Sequence, residues 1–128
     1  RWPRAEPGGK TQAAQKPNIV FFLVDDLGLG DLGCFGSTFH ETSNIDRLCS
    51  DGLKFTQAYS ACTVCSPSRA AILLGKYPAR THLTDWIAGH RRRNAPLIIP
   101  DWKMRMEHSE TTLAEALKSH GYRTQFIG

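Results

Sequence analysis

The sequence has no apolar run long enough to cross a membrane. Its longest run, residues 19–24, has the length of a strand, whereas a membrane-spanning helix needs about 18 or more apolar residues in a row. A large excess of one charge sign is also missing, because 16 Lys and Arg stand against 12 Asp and Glu for a net charge of +4. That balance mildly favours anionic partners and falls short of a nucleic-acid-binding surface. We therefore expect neither a membrane span nor a nucleic-acid partner.

The chain also lacks the ligand pattern of a zinc site. Of its four cysteines, only Cys62 and Cys65 have metal-ligand spacing, and no second C-x-x-C or H-x-x-x-H completes a tetrahedral set. A redox C-x-x-C stays open, since thiols at helix N-termini ionise readily, but it leaves the Pro-Ser-Arg continuation unexplained. Cys34 and Cys49 are interpreted as small buried hydrophobes.

What is present indicates a single globular unit. The length of 128 residues, with 41% hydrophobic and 22% charged residues, suits one domain. Residues 1–16 mix Pro, Gly, Gln, Ala and charges and are predicted to form a flexible N-terminal linker, which leaves 17–128 as the folded part. The first residue is Arg1 and not Met, so a cleaved export signal is one candidate for what precedes it.

Strand and helix signals alternate along the folded part. Continuous or loosely alternating apolar residues predict strands at 18–24, 53–58 and 122–127. Caps and apolar spacing predict helices from Thr42 or Ser43 to a stop at Gly52, from Cys65 to about Leu74, and after the Thr112–Glu115 capping box. Residues 75–100 are expected to be a long irregular connection. This order predicts an α/β fold with a mostly parallel sheet between helices.

Two adjacent acids follow the first predicted strand. Asp25 and Asp26 stand at its carboxyl end, the edge at which open α/β sheets bind ligands. Neighbouring residues of a strand point to opposite faces, so both carboxylates reach one ion only if the strand ends there, and Gly28 and Gly30 permit that break. Paired carboxylates suit a hard cation, although a solvated turn would explain the same pair.

The glycines after these acids also match a dinucleotide-binding fingerprint. Gly28, Gly30 and Gly33 have the G-x-G-x-x-G spacing after a predicted strand. The nearby carboxylates would repel a pyrophosphate, and residues 34–41 lack the helical apolar period that the fingerprint requires. We therefore expect no dinucleotide site.

The segment from Cys65 to Gly75 carries the strongest functional signal. Pro67 fits the first turn of a helix that begins at Cys65, where free N–H groups and the positive dipole end converge. Arg69 follows one turn later on the same face and can form two parallel hydrogen bonds to an oxyanion. A tetrahedral sulfate or phosphate would suit this geometry. A salt-bridge role at the edge of the core would also account for the arginine.

This segment resembles the signature of the formylglycine-dependent sulfatases, members of the alkaline phosphatase superfamily. The signature is Cys65-x-Pro67-Ser68-Arg69, closed by Gly75. Further matches, in chain order, are Asp-Asp-Leu-Gly at 25–28, Asn-Ile-Asp-Arg-Leu at 44–48, Phe-Thr-Gln-Ala-Tyr-Ser at 55–60, Gly-Lys-Tyr-Pro-x-Arg at 75–80 and Thr-Leu-Ala-Glu-Ala-Leu at 112–117.

The resemblance implies a mechanism and a set of site residues. Cys65 would be oxidised by a formylglycine-generating enzyme to an aldehyde, whose hydrate attacks the sulfur of a sulfate ester, and Arg69 would hold that hydrate. Asp25 and Asp26, together with the formylglycine, would bind calcium, with magnesium as the alternative. The implied substrate is a sulfated small molecule or glycan. Many such enzymes are exported, so a periplasmic or secreted location is expected.

The resemblance also identifies family residues that have no match in this sequence. Family members carry further lysine, histidine and metal-binding residues beyond the strand represented by 122–127, so this sequence is expected to be the N-terminal part of a longer catalytic domain and inactive by itself. A phosphonate or phosphodiester hydrolase of the same superfamily and a non-catalytic anion-binding piece remain alternatives. Arg91–Arg93, with His82 and His90, could contact an anionic substrate, although charge runs in loops are more often only solvated.

Overall fold

The structure, a computed structural model, describes residues 16–89 and 94–128. Two short 3-10 helices come first, at Leu29–Asp31 and Gly33–Phe35. Four α-helices follow, α1 (Ser43–Asp51), α2 (Cys65–Leu74), α3 (Pro78–Thr81) and α4 (Leu113–Ser119). The predicted linker 1–16 falls outside the described residues except for Lys16.

The three long helices lie where the sequence places them. Helix α1 begins after Thr42 and ends before Gly52. Helix α2 ends before Gly75, which adopts the left-handed conformation (φ 61°) that glycine tolerates best. At the start of α4, the Glu115 N–H donates to Thr112 Oγ1 (3.3 Å) and the Thr112 N–H donates to Glu115 Oε2 (2.8 Å). The predicted capping box is confirmed.

The predicted sheet is not confirmed. In the part of the chain that the structure describes, 18–24, 53–58 and 122–127 form no strand. A strand is stable only when a neighbour takes up its backbone hydrogen bonds, and these three segments do not pair with one another. Their side chains stay open to solvent, as the exposed fractions of Val20 (75%), Phe22 (81%) and Phe126 (80%) show. Among the described residues, no partner strand covers this apolar pattern.

The buried part of the fold is small and centres on α2. Among the described residues, the buried side chains are Pro67 and Ala70 of α2 together with Leu83 and Trp102. Helix α2 packs against α3 and α4. Beyond α3, the Lys103 N–H donates to the His82 carbonyl oxygen (2.7 Å). This bond joins the end of α3 to the segment that follows Trp102.

Part of the long connection is more regular than predicted. Residues 75–100 were expected to be irregular, but Pro78 begins the one-turn helix α3, whose first position suits proline. Lys76, next to α2, forms an ion pair with Glu110 ahead of α4. This pair connects two helical segments that are far apart in sequence.

Candidate active site

Cys65 is the first residue of α2 and carries a free, exposed thiol. The residue before it, Val64, is extended (φ −117°, ψ 146°), so the chain changes from extended to helical conformation at Cys65. The Ser68 N–H donates to the Val64 carbonyl oxygen (3.3 Å) and closes the first turn. Pro67, inside that turn, is buried and removes an N–H that would lack a helical acceptor. The predicted helix start is confirmed.

Two serines hold the chain that leads into Cys65. The carbonyl oxygen of Cys62 accepts hydrogen bonds from Ser68 Oγ (2.6 Å) and Ser60 Oγ (2.8 Å). Ser68 lies within the helix and Ser60 before the turn, so both sides of the turn are joined to one carbonyl group. The backbone orientation at Cys65 is therefore fixed by local hydrogen bonds.

Arg69 connects α2 to the predicted acidic pair. Its Nη2 lies 3.1 Å from Asp25 Oδ2, across 44 positions of sequence. The side chains are 44% and 56% exposed, so this ion pair is solvent-screened and contributes at most about 1 kcal/mol to stability. The structure thus brings together Asp25 and Arg69, while Arg69 lies one helical turn from Cys65.

Asp26 lies in a turn and not at the end of a formed strand. Its backbone is left-handed (φ 54°), a conformation that aspartate adopts more readily than most residues. The chain therefore reverses direction at Asp25 and Asp26 without the help of Gly28 or Gly30. The break that allows neighbouring carboxylates to face one region is present, but it is built differently from the prediction.

The donor atoms around this turn fit only part of a calcium shell. Carboxylate oxygens of Asp25 and Asp26 are the donor type that calcium prefers, and calcium takes about six to eight oxygens. Within residues 16–89 and 94–128, no three His, Cys, Asp or Glu side chains are grouped closely enough to hold a metal ion. The two aspartates therefore suit the metal in chemistry and would supply a minority of its ligands.

One contact at the start of α2 has no signal in the sequence. Ser66 Oγ accepts a hydrogen bond from the Ile87 N–H (3.0 Å), so the turn at 85–89 lies beside the residue that follows Cys65. Gly89 ends that turn in the left-handed conformation (φ 63°) and packs against the Trp102 ring. Ser66 therefore anchors this neighbouring turn.

The histidines and arginines considered for substrate binding are only partly described. His82 ends α3 in the left-handed conformation (φ 55°), and its carbonyl oxygen accepts from Lys103. His90 and Arg91–Arg93 lie outside the described residues. Their contact with an anionic substrate stays a prediction.

A sulfatase family profile matches residues 17–128. The match covers most of the chain and includes Asp25, Asp26, Cys65 and Arg69. The chain belongs to the sulfatase family. Membership implies an α/β fold of the alkaline phosphatase type, whose sheet the described residues do not form.

Individual sulfatases are similar over most of this sequence. Human steryl-sulfatase is 40% identical over 119 residues, 93% of this chain and 20% of its own length. Arylsulfatase H of Canis lupus familiaris is 44% identical over 113 residues, 88% of this chain and 19% of its own. The N-acetylgalactosamine-6-O-sulfatase of Bacteroides thetaiotaomicron is 41% identical over 117 residues, 91% of this chain and 21% of its own. The chain therefore spans about a fifth of the length of these sulfatases.

Over the residues that the structure describes, no helix combines the length and the apolar character that a membrane span requires.

Proposed function

We propose that this chain forms the N-terminal part of a sulfatase catalytic domain that hydrolyses sulfate esters. The observation that carries the proposal is the position of Cys65 at the start of α2, one turn before an arginine whose guanidinium meets Asp25. The Arg69 contact thereby joins the helix that begins at Cys65 to an acidic residue of the same sulfatase pattern, 44 positions earlier. Residues 17–128 would belong to the catalytic domain and 1–16 to a linker.

Cys65 would act after conversion to formylglycine. One hydroxyl of the aldehyde hydrate attacks the sulfur of the ester, the bond from sulfur to the alcohol oxygen breaks, and the alcohol leaves with a proton. The remaining hydroxyl of the modified residue would then lose its proton, the carbon–oxygen bond to the sulfate would break and the aldehyde would reform. Water adds to the aldehyde and restores the hydrate. A serine could not complete the second step, because it has no second hydroxyl on the same carbon.

The surroundings of Cys65 are suited to the negative charge of this reaction. Free N–H groups at the N-terminus of α2 and its positive dipole end face the same region as the first residue of the helix. Arg69 keeps a permanent charge and offers a planar pair of donors, which match two oxygens of a sulfate group or a formylglycine hydrate. Preorganised donors of this kind stabilise charge that develops in a transition state.

Asp25 and Asp26 would contribute to a divalent metal site, with calcium as the expected ion and magnesium as the alternative. Their carboxylates supply hard oxygen donors, and Cys65 would add an oxygen once it is formylglycine. Such an ion, when bound, draws charge from the sulfate oxygens. The 3.1 Å contact of Asp25 with Arg69 makes a proposed metal ligand and the proposed anion-binding arginine neighbours.

The partners that follow from this site are a sulfated small molecule or glycan and a formylglycine-generating enzyme. The names of the relatives support the substrate class, since they include steryl, aryl and N-acetylgalactosamine-6-sulfatases. A periplasmic or secreted location is proposed on the same family grounds.

Mass spectrometry of the peptide that contains Cys65 tests the proposal. After co-expression with a formylglycine-generating enzyme, we expect an aldehyde at Cys65 that couples to a hydrazide reagent. Cys62→Ala is the matched control and should leave the aldehyde in place, whereas Cys65→Ala should abolish it. An unmodified Cys65 thiol in the presence of an active modifying enzyme would contradict the proposal.

A further inference from the structure

A network of hydrogen bonds joins the second 3-10 helix, Gly33–Phe35, to the start of α1. The Cys34 N–H donates to Asp46 Oδ1 (2.7 Å), and the Gly33 N–H donates to Thr42 Oγ1 (2.8 Å). The Thr42 hydroxyl in turn donates to Asp46 Oδ1 (3.0 Å). Lys54 Nζ donates to the Cys34 carbonyl oxygen (2.9 Å). Both polar groups of the Cys34 backbone are therefore fixed.

Gly33 makes this close approach to α1 feasible. A Cβ atom at this position would lie 2.5 Å from Asp46 Oδ2 and 3.1 Å from its Cγ. Any other residue would push the 3-10 helix away from α1 or displace the carboxylate of Asp46. The position of Cys34 against α1 thus depends on direct contact of the two elements and not on a flexible side chain.

Helix α1 carries one cysteine, Cys49. It follows Asp46 by three residues and therefore lies on the same side of the helix, one turn along. Both thiols are half-buried and free. Burial raises the pKa of the Cys34 thiol, and the neighbouring Cys49 thiol and Asp46 carboxylate raise that pKa further. The hydrogen bond from Cys34 to Asp46 and the helical spacing of Asp46 and Cys49 therefore place Cys34 beside the face of α1 that carries Cys49.

We propose that Cys34 and Cys49 are a site of covalent modification, at which an organic disulfide such as oxidised glutathione forms an intrachain disulfide bond. The bond would join the second 3-10 helix to α1 covalently, at the place where hydrogen bonds already join them. This site is separate from Cys65, and the inference does not depend on the proposed sulfatase activity.

The oxidation proceeds by two thiol–disulfide exchanges. The Cys49 thiolate attacks one sulfur of oxidised glutathione, forms a mixed disulfide and releases one glutathione thiolate. The Cys34 thiolate then attacks the Cys49 sulfur, forms the intrachain bond and releases the second glutathione thiolate. The protons of the two cysteine thiols end on the two glutathione molecules, which take up the two electrons. Attack in the opposite order, with Cys34 first, gives the same intrachain bond.

Peptide mapping of the oxidised chain tests this assignment. The reduced 128-residue chain is treated with oxidised glutathione, remaining thiols are alkylated, and the product is digested with trypsin. Arg47 and Lys54 bracket Cys49, so Cys34 and Cys49 fall on different peptides, and Cys62 and Cys65 share a third. We expect the peptides of Cys34 and Cys49 to be linked, with a combined mass two hydrogen atoms lower than their sum. Recovery of these two cysteines as separate alkylated or glutathionylated peptides would overturn the proposal.

Two controls separate the effect of the fold from that of sequence proximity. In strong denaturant the shortest loop closes most readily, so the Cys62–Cys65 pair should replace the Cys34–Cys49 link. Gly33→Ala, which displaces the 3-10 helix, should lower the linked fraction severalfold under native conditions, whereas Gly30→Ala, with open space around its Cβ position, should leave it unchanged. An equal yield of the link with and without denaturant would refute a fold-directed site.

Discussion

The close contact between Gly89 and the Trp102 ring predicts that a larger residue at position 89 destabilises the fold. Gly89 is left-handed (φ 63°), and a Cβ atom there would lie 2.2 Å from Cζ2 and 3.1 Å from Cη2 of Trp102. Trp102 is 9% exposed and belongs to the small buried set. The same turn carries Ile87, whose N–H donates to Ser66 beside Cys65. A Gly89→Ala substitution should therefore disturb both the buried tryptophan and one side of the candidate active site.

The expected loss of stability in Gly89→Ala has two parts. A left-handed backbone costs an alanine about 1–2 kcal/mol relative to glycine. Displacing a packed ring to admit a methyl group costs about 1–3 kcal/mol more. Together they predict that Gly89→Ala lowers the free energy of unfolding by roughly 2–5 kcal/mol.

Urea denaturation of three matched variants checks both parts. Gly75→Ala has a left-handed backbone (φ 61°) and nothing within 4 Å of the added Cβ, so it should show the backbone cost alone. Gly30→Ala has neither a positive φ nor a close neighbour and should leave stability almost unchanged. We expect the urea midpoint to fall in the order Gly30→Ala, Gly75→Ala, Gly89→Ala. If Gly89→Ala is no more destabilising than Gly75→Ala, the packing of Trp102 on this turn is not rigid and the reasoning fails.

Other predictions test the ends of the helices and the contacts at Cys65. Arg69→Ala should change the free energy of unfolding by less than about 1 kcal/mol, measured in urea, because its pair with Asp25 is half-exposed. Thr112→Ala should lower helix stability by about 1 kcal/mol, measured by circular dichroism during thermal unfolding. The backbone hydrogen bond from Thr112, followed by its hydroxyl, lowers the pKa of Glu115. The capping interaction should therefore be present above the unfolded-state pKa of about 4.3 and be lost as the pH falls through the lower folded value. Thr112→Ala should weaken this dependence without removing it, because the backbone N–H at position 112 still donates to Glu115. Ser66→Ala should speed hydrogen exchange at the Ile87 amide, whereas Ser66→Thr should preserve its protection, and equal exchange in both variants would exclude the hydrogen bond.

Local signals account for the parts of the fold that the sequence predicts well. Helices α1, α2 and α4 depend on caps, on Pro67 and on apolar spacing within one segment, so their bounds can be inferred without knowledge of the rest of the chain. Strands depend on partners that are distant in sequence. The apolar residues at 18–24 predict a strand equally well whether or not a neighbour is present, and in the structure no neighbour covers them.

The contacts of the candidate site also divide into those within one segment, which the sequence predicts, and those between distant segments, which it does not. The spacing of Cys65 and Arg69 on one helix face follows from the sequence alone, because both lie in α2. The approach of Asp25 to Arg69 is a contact across 44 positions, which only the family resemblance suggested. The contact from Ile87 to Ser66 uses a backbone N–H, which every residue except proline has, so no residue type could have predicted it. The placement of Cys34 beside α1 also has no local signal, because it depends on a hydrogen bond to Asp46, twelve residues later.

Two energies indicate what sets the position of the turn at Asp25 and Asp26: that of the ion pair with Arg69 and that of the apolar run before the turn. The ion pair of Asp25 with Arg69 is half-exposed and contributes at most about 1 kcal/mol. The apolar run just before it keeps Val20, Phe21 and Phe22 60–81% exposed, and full burial of one such side chain is worth about 1.5–3 kcal/mol. Covering this run would therefore outweigh the ion pair. In a complete α/β sheet of the sulfatase type, the strand at 18–24 would position Asp25 and Asp26, and Arg69 would be free to serve the anion.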